Sequence, residues 1–213
     1  MMKKITPLSR VLLLVASLLL VILYYVPFWE ILMWAPQYPE GLTMKIWLNR
    51  FSGDVEIING LNHYIGMKHI KTEMFKEFEI MPQVVAGIIA LGLLSVIWGR
   101  RAGVWIFLIV MMIAGITGLV DFWLWGYDYG HNLDPKAAIK VPGMAYQPPL
   151  IGTKTLLNFV AYSGPDTGGW IVVATGVITM FVLVFENYKE RWATRFRWVS
   201  PFISQSVRQV QTR

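Results

Sequence analysis

The chain has 213 residues, 55% of them hydrophobic and only 15% charged, against about 25% charged in ordinary soluble domains, so the composition is that of a membrane protein. The formal net charge is +6 and cysteine is absent, which excludes disulfides and thiolate metal sites. The segments between spans must therefore be ordered by packing, turns or a partner, and any metal there would take His, Met, Asp or Glu ligands.

A spanning helix needs roughly 20 mostly apolar residues to cross a hydrocarbon core of about 30 Å. Four stretches qualify, at residues 11–34, 81–98, 104–125 and 168–185. The predicted fold class is an all-α membrane protein, a single membrane domain over residues 1–213. It has four transmembrane helices and two long ordered outer segments, residues 35–80 and 126–167, that form a cap.

The first stretch follows Lys3, Lys4 and Arg10. Its apolar run is far longer than the core of a signal peptide and no small-residue cleavage site follows, so it reads as a retained helix. Pro27 and Glu30 lie near its outer end, and Trp29 and Trp34 suit an interfacial belt. In the first outer segment, residues 44–51 have a helical or short-strand pattern, residues 52–54 are turn chemistry, and residues 55–58 suit one extended strand. From Asn62 to about Phe78 the periodicity is helical, with Asn59 or Asn62 as the N-cap.

Spans two and three carry Gly87, Gly92, Gly115 and Gly118, which would allow close helix approach. The second outer segment is punctuated by ten Gly and Pro residues from Gly126 to Pro165, so it reads as a shaped loop and not a helix. The tail, residues 189–213, has Arg191, Arg195 and Arg197 with Trp192 and Trp198, the pattern of an amphipathic helix lying on the inner surface.

Orientation follows from the basic residues beside the spans. With both termini in the cytoplasm of a bacterial inner membrane, Lys3, Lys4, Arg10, Arg100, Arg101 and six tail residues are inside, eleven of nineteen. Only Glu186 and Glu190 accompany them, giving +9 inside and −3 outside. The basic balance thus reports topology and contact with the lipid bilayer, and not nucleic acid.

Chemistry concentrates outside the spans, where all three histidines fall. On a helix over residues 62–78, at about 100° per residue, Met67 lies about 40° and Met74 about 20° from His63, while His69 turns about 120° away. His63, Met67 and Met74 then share a face suited to copper, since imidazole accepts either oxidation state and thioether favours Cu(I). Under that geometry His131, from the second outer segment, is a better second nitrogen than His69. Met144, between Pro142 and Pro148, is a further thioether. The bland reading is that Met67 and Met74 fill core gaps and His63 is a satisfied hydrogen bonder.

Asp121 falls within an apolar span, where a carboxylate is expensive enough to suggest a proton or charge role. If its helix continues past Gly126, Asp121 and Asp128 share a face; Glu30 is a third carboxylate near a membrane boundary. No P-loop, dinucleotide motif or Ser-His-Asp set is present, and no histidine lies where a membrane haem would need one.

Four strings carry a resemblance: Tyr25-Val-Pro-Phe-Trp-Glu-Ile31, Trp34-Ala-Pro-Gln-Tyr-Pro-Glu-Gly41, Gly60-Leu-Asn-His-Tyr-Ile-Gly-Met67 and Trp125-Gly-Tyr-Asp-Tyr-Gly-His-Asn-Leu-Asp-Pro135. They resemble a family of small four-span membrane proteins associated with gene clusters for nitrous-oxide reductase, particularly the Sec-exported type. The resemblance extends over most of the chain and implies a membrane accessory protein that supports a periplasmic copper enzyme, with copper as the cofactor to expect; the first function this suggests is a non-enzymatic one, copper handling and assembly or docking. Two other functions fit the residues: an electron-transfer or quinol-interacting subunit using Asp121, Glu30 and the tryptophan belt, and a subunit of a copper membrane oxygenase.

Overall fold

In the computed structural model the backbone is described for residues 3–211 and the side chains for residues 3–189. Helix α1 (Pro7–Leu19) begins where the Thr6 side chain accepts a hydrogen bond from the Ser9 amide and Pro7 opens the first turn, the position where a missing N–H costs nothing. It tightens into a 3-10 turn over Leu20–Tyr24 and stops. Pro27 disfavours the helical region for the residue before it, and beyond it burial alternates, with Trp29 and Ile31 buried and Glu30 and Leu32 half-buried on the other face.

That alternation makes a strand, so the first span is Pro7–Tyr24 and does not run on to Trp34. The all-α expectation is corrected here. Strands β1 (Trp29–Ala35), β2 (Tyr38–Ile46), β3 (Phe51–Gly53), β4 (Gly152–Leu156) and β5 (Phe159–Pro165) form one antiparallel sheet in the order β3-β2-β1-β5-β4. Central β1 pairs with β2 through Ile31↔Met44 and with β5 through Ile31↔Ser163. Strand β1, from the outer end of the expected first span, thus bridges the two long connecting segments, with β2 of the first on one side and β5 of the second on the other. Residues 55–58, expected as a strand, open helix α2 (Val55–Ile65) instead. Its buried positions, Ile58, Asn59 and Asn62, recur at helical spacing.

Helices α3 (Glu77–Trp98) and α4 (Arg101–His131) are joined by a two-residue turn in which Gly99 has φ +60. The second outer segment is therefore helical to His131 and ends in a β-hairpin, so the expectation of an irregular loop holds only for its middle. Helix α5 (Thr167–Gln211) continues through the tail; the side chains of its expected amphipathic face, Arg191, Trp192, Arg195, Arg197 and Trp198, lie outside the described residues.

Four helical stretches, Pro7–Tyr24, Glu77–Trp98, Arg101–His131 and Thr167–Lys189, are long and apolar enough to cross a membrane. They pack as a square, α1 and α4 each lying between α3 and α5. Leu13, Val104, Phe107 and Val182 fill the interior with no exposure, while Leu94, Ile97, Ile113 and Val177 are more than half exposed. An apolar girdle of that kind is stable against lipid and not against water. Of the four glycines expected at close approaches, Gly92 behaves so: a Cβ there would overlap Ser17 and Phe107, whereas Gly87, Gly115 and Gly118 face open space.

At the turn end, Ile5 and Arg101 bond through their amides to Gly99 and Lys3 carbonyls at 3.0 Å each. There Glu186, 2% exposed, accepts from Ser9 Oγ at 2.6 Å and the Thr6 amide at 2.7 Å, with Arg101 Nη2 at 3.6 Å. A buried carboxylate needs such partners to stay in place. The sheet sits at the opposite end, its inner face of Trp29, Ile31, Leu42, Met44 and Ile46 packed with Ile58 of α2, Phe78 of α3 and Phe122 of α4. With 31 residues, α4 is about 46 Å long, so about 16 Å of it rises past a hydrocarbon core of about 30 Å.

Candidate functional site

The histidine-bearing segment is a helix followed by a reversal. Gly66, at φ +80, takes the left-handed position that ends α2, a conformation glycine adopts without steric cost. A Cβ there would meet Ala137 and the Asp134 backbone, so the site also needs the smallest residue. The predicted helix over residues 62–78 is therefore absent: residues 67–71 return alongside α2, Thr72–Met74 is a 3-10 turn, and α3 begins at Glu77.

Three anchors hold the returning segment. Buried Asn59 grips Ile70 twice, its Nδ2 donating to the Ile70 carbonyl at 2.9 Å and its Oδ1 accepting from the Ile70 amide at 2.7 Å. Tyr129 of α4 donates its hydroxyl to the His69 carbonyl at 3.3 Å. Lys68 forms an ion pair with Asp128 at 2.5 Å, and Asn132 also donates to that carboxylate.

The reversal brings His63 and His69 together, ring centres 6.3 Å apart, where the helical reading separated them. Both rings are exposed. His131 is placed elsewhere: it ends α4, stacks on Tyr127 at 4.0 Å and bonds through Nδ1–H to the Tyr127 carbonyl at 3.0 Å. The shared His63, Met67 and Met74 face does not form. Met67 is half-buried in the reversal, Met74 is 46% exposed in the 3-10 turn, and Met144 is half-buried in the strap of residues 133–147. Among the described residues no three His, Asp or Glu side chains gather within metal-binding reach.

The helix does continue past Gly126, so Asp121 and Asp128 share one side of α4. Asp128 is committed to Lys68. Asp121 is half-buried near the base of the sheet, with Glu77 of α3 as its charged neighbour; one oxygen of Glu77 is buried with no hydrogen-bond partner among the described residues. Phe75, Trp125 and Tyr129 pack as a tilted cluster beside this point, at 4.1 Å and 5.5 Å between ring centres.

Glu30 lies on the sheet face turned away from the core, opposite Lys45. Lys45 pairs with Asp166 at 2.9 Å, and Asp166 caps α5 by accepting from the Thr167 amide and hydroxyl. The hydrogen bond to Asp166 raises the Lys45 pKa, outweighing burial, with Asp166 and Glu30 charge adding to it. Burial pushes the Asp166 carboxyl up, but the bonds from Lys45 and Thr167 together outweigh it and hold the carboxyl below its ordinary value. On the same outward face Leu32 pairs with Tyr162 and Trp34 with Val160 across β1 and β5, an apolar and aromatic patch. Trp34 lies against Gly41, where a Cβ would approach Trp34 Nε1 at 2.8 Å.

Asn59, Lys68, Tyr129 and the Lys45–Asp166 pair went unnoticed in the sequence. Asn59 stood out there only as a helix cap, and none of the others carries a local signal, since each acts on a distant segment. The fold and site define a multi-span membrane protein carrying an antiparallel sheet domain at one end of a four-helix bundle. No family model matches the chain, and a search of curated proteins found no match.

Proposed function

We propose that this protein is a non-enzymatic accessory subunit that holds its sheet domain on the outer face of the bacterial inner membrane and docks a periplasmic copper enzyme there. The sequence resemblance names nitrous-oxide reductase as that enzyme. The observation that carries the docking role is the patch of Leu32, Trp34, Val160 and Tyr162, spread over paired central strands of a sheet seated on the bundle. Aromatic anchors on a rigid surface are what protein interfaces use for affinity. Orientation is supported by Lys3, Lys4, Arg10, Arg100 and Arg101, which lie at the end away from the sheet, as expected of a cytoplasmic end.

A second reading, delivery of electrons to the same enzyme, is favoured by the Phe75, Trp125 and Tyr129 cluster beside Glu77 and Asp121. One experiment separates the two. In a strain lacking this protein, the docking and assembly role gives reductase that is copper-deficient and inactive with any reductant. The electron-transfer role gives copper-replete reductase that works with an artificial reductant and fails with the cell's own donor. Full activity and full copper in that strain would overturn both.

A further inference from the structure

We infer that His63 and His69 form a two-coordinate site for Cu(I). Metal–nitrogen bonds of about 2.0 Å, with about 1.2 Å from each nitrogen to its ring centre, put two imidazoles about 6.4 Å apart when they bind one ion in a line. A tetrahedral angle at the ion would bring the ring centres to about 5.2 Å from the same bond lengths. The observed 6.3 Å between ring centres matches the linear spacing and exceeds the bent one. The 57° between ring planes is no obstacle, because rotation about a linear nitrogen–metal–nitrogen axis leaves both bonds unchanged.

The backbone that carries His69 back beside His63 is held by groups other than the ligands. Asn59 fixes Ile70, Tyr129 fixes the His69 carbonyl, and Lys68 is drawn to Asp128 on the opposite side of His69 from Ile70. Both imidazoles are exposed and neither makes a hydrogen bond among the described residues, so a nitrogen on each is available to a metal. Imidazole suits zinc, copper, iron and nickel. The surroundings narrow that choice: no third His, Asp or Glu joins the pair among the described residues, whereas structural zinc takes four ligands. A monovalent d10 ion is satisfied by two neutral nitrogens in a line and needs no carboxylate to balance its charge.

The biological use of this site rests on the accessory reading, but its existence does not. The test is an anaerobic titration of the full chain in detergent micelles with Cu(I), buffered by a chromophoric Cu(I) chelator. We expect one Cu(I) per chain, X-ray absorption showing two nitrogen neighbours and no sulfur, and weaker binding of Zn(II) alone. His63→Ala and His69→Ala each weaken Cu(I) binding by about a hundredfold or more, the upper end of what even indirect ligand-shell changes cost, while His131→Ala leaves it unchanged. Unaltered affinity in His63→Ala and His69→Ala, an equal loss in His131→Ala, or a sulfur neighbour would overturn the site. If Cu(I) binding is lost in the double variant and reductase in cells carrying it keeps its copper and activity, the site stands and copper delivery to that enzyme is refuted.

Discussion

Replacing Asn59 with alanine tests whether the histidine spacing is built by the fold or arises by chance. Asn59 is 2% exposed and makes both hydrogen bonds to Ile70, at 2.9 Å and 2.7 Å. Truncation leaves the Ile70 amide and carbonyl unpaired in a partly buried place. At about 1–3 kcal/mol for each unsatisfied group, less where water reaches it, the returning segment loses about 2–4 kcal/mol. Since 1.4 kcal/mol is a factor of ten, amide hydrogen exchange over residues 67–71 should accelerate by about 30-fold or more, with the bundle helices unaffected. The same variant should weaken Cu(I) binding although Asn59 touches no metal. Asn59→Asp keeps the acceptor and loses the donor, so its effect should be intermediate. Unchanged exchange in residues 67–71, or fast exchange with unchanged Cu(I) affinity, would refute the argument that this clamp sets the site.

Three further outcomes follow from the geometry. Gly92→Val should destabilise the bundle by about 1–3 kcal/mol through overpacking against Ser17 and Phe107, seen as a lower Tm in detergent, while Gly115→Ala and Gly118→Ala, which face open space, leave Tm unchanged. The Lys45–Asp166 pair should give a pH-dependent Tm with two limbs. The Asp166 carboxyl is held below its ordinary value, so its stabilisation is present above an unfolded pKa of about 3.9 and lost as pH falls through the folded pKa. The Lys45 pKa is raised, so its stabilisation is present below about 10.4 and lost as pH rises through the folded value; Asp166→Asn should flatten both limbs. Because the chain has no cysteine, Asn158→Cys in the β4–β5 turn and Lys189→Cys at the far end report orientation directly: a membrane-impermeant maleimide applied to the periplasmic side should label the first and spare the second, and the reverse pattern would refute the outward placement of the sheet.

The spans were legible because lipid tolerates only long apolar runs whose backbone bonds are closed within the helix, and that demand is written locally. The sheet was not, for the same reason in reverse. Trp29-Glu-Ile-Leu-Met-Trp-Ala35 is apolar on both faces: Ile31 packs inward, while Leu32 and Trp34 meet Tyr162 and Val160 on the outward face. It therefore reads as the end of a helix, with Pro27 the one local sign that the helix has stopped. Its partner β5 lies more than a hundred residues away, and pairing at that distance leaves no periodicity in either strand. The site failed at a single residue. Carrying helical periodicity across Gly66 rotated His69 away from His63 and made His131 the better partner, although a glycine inside an amphipathic pattern is as much a chain-reversal signal as a tolerated defect. Once the helix ends there, the Asn59 side chain, seven residues before Gly66, is free to act on the returning segment, and a residue that looks like a cap becomes the clamp that returns His69 to its neighbour. The distance between the two histidines therefore depends on Gly66 and Asn59 together, and Gly66→Ala should disturb it as much as Asn59→Ala does, since an alanine there is strained at φ +80 and crowds Ala137 and Asp134.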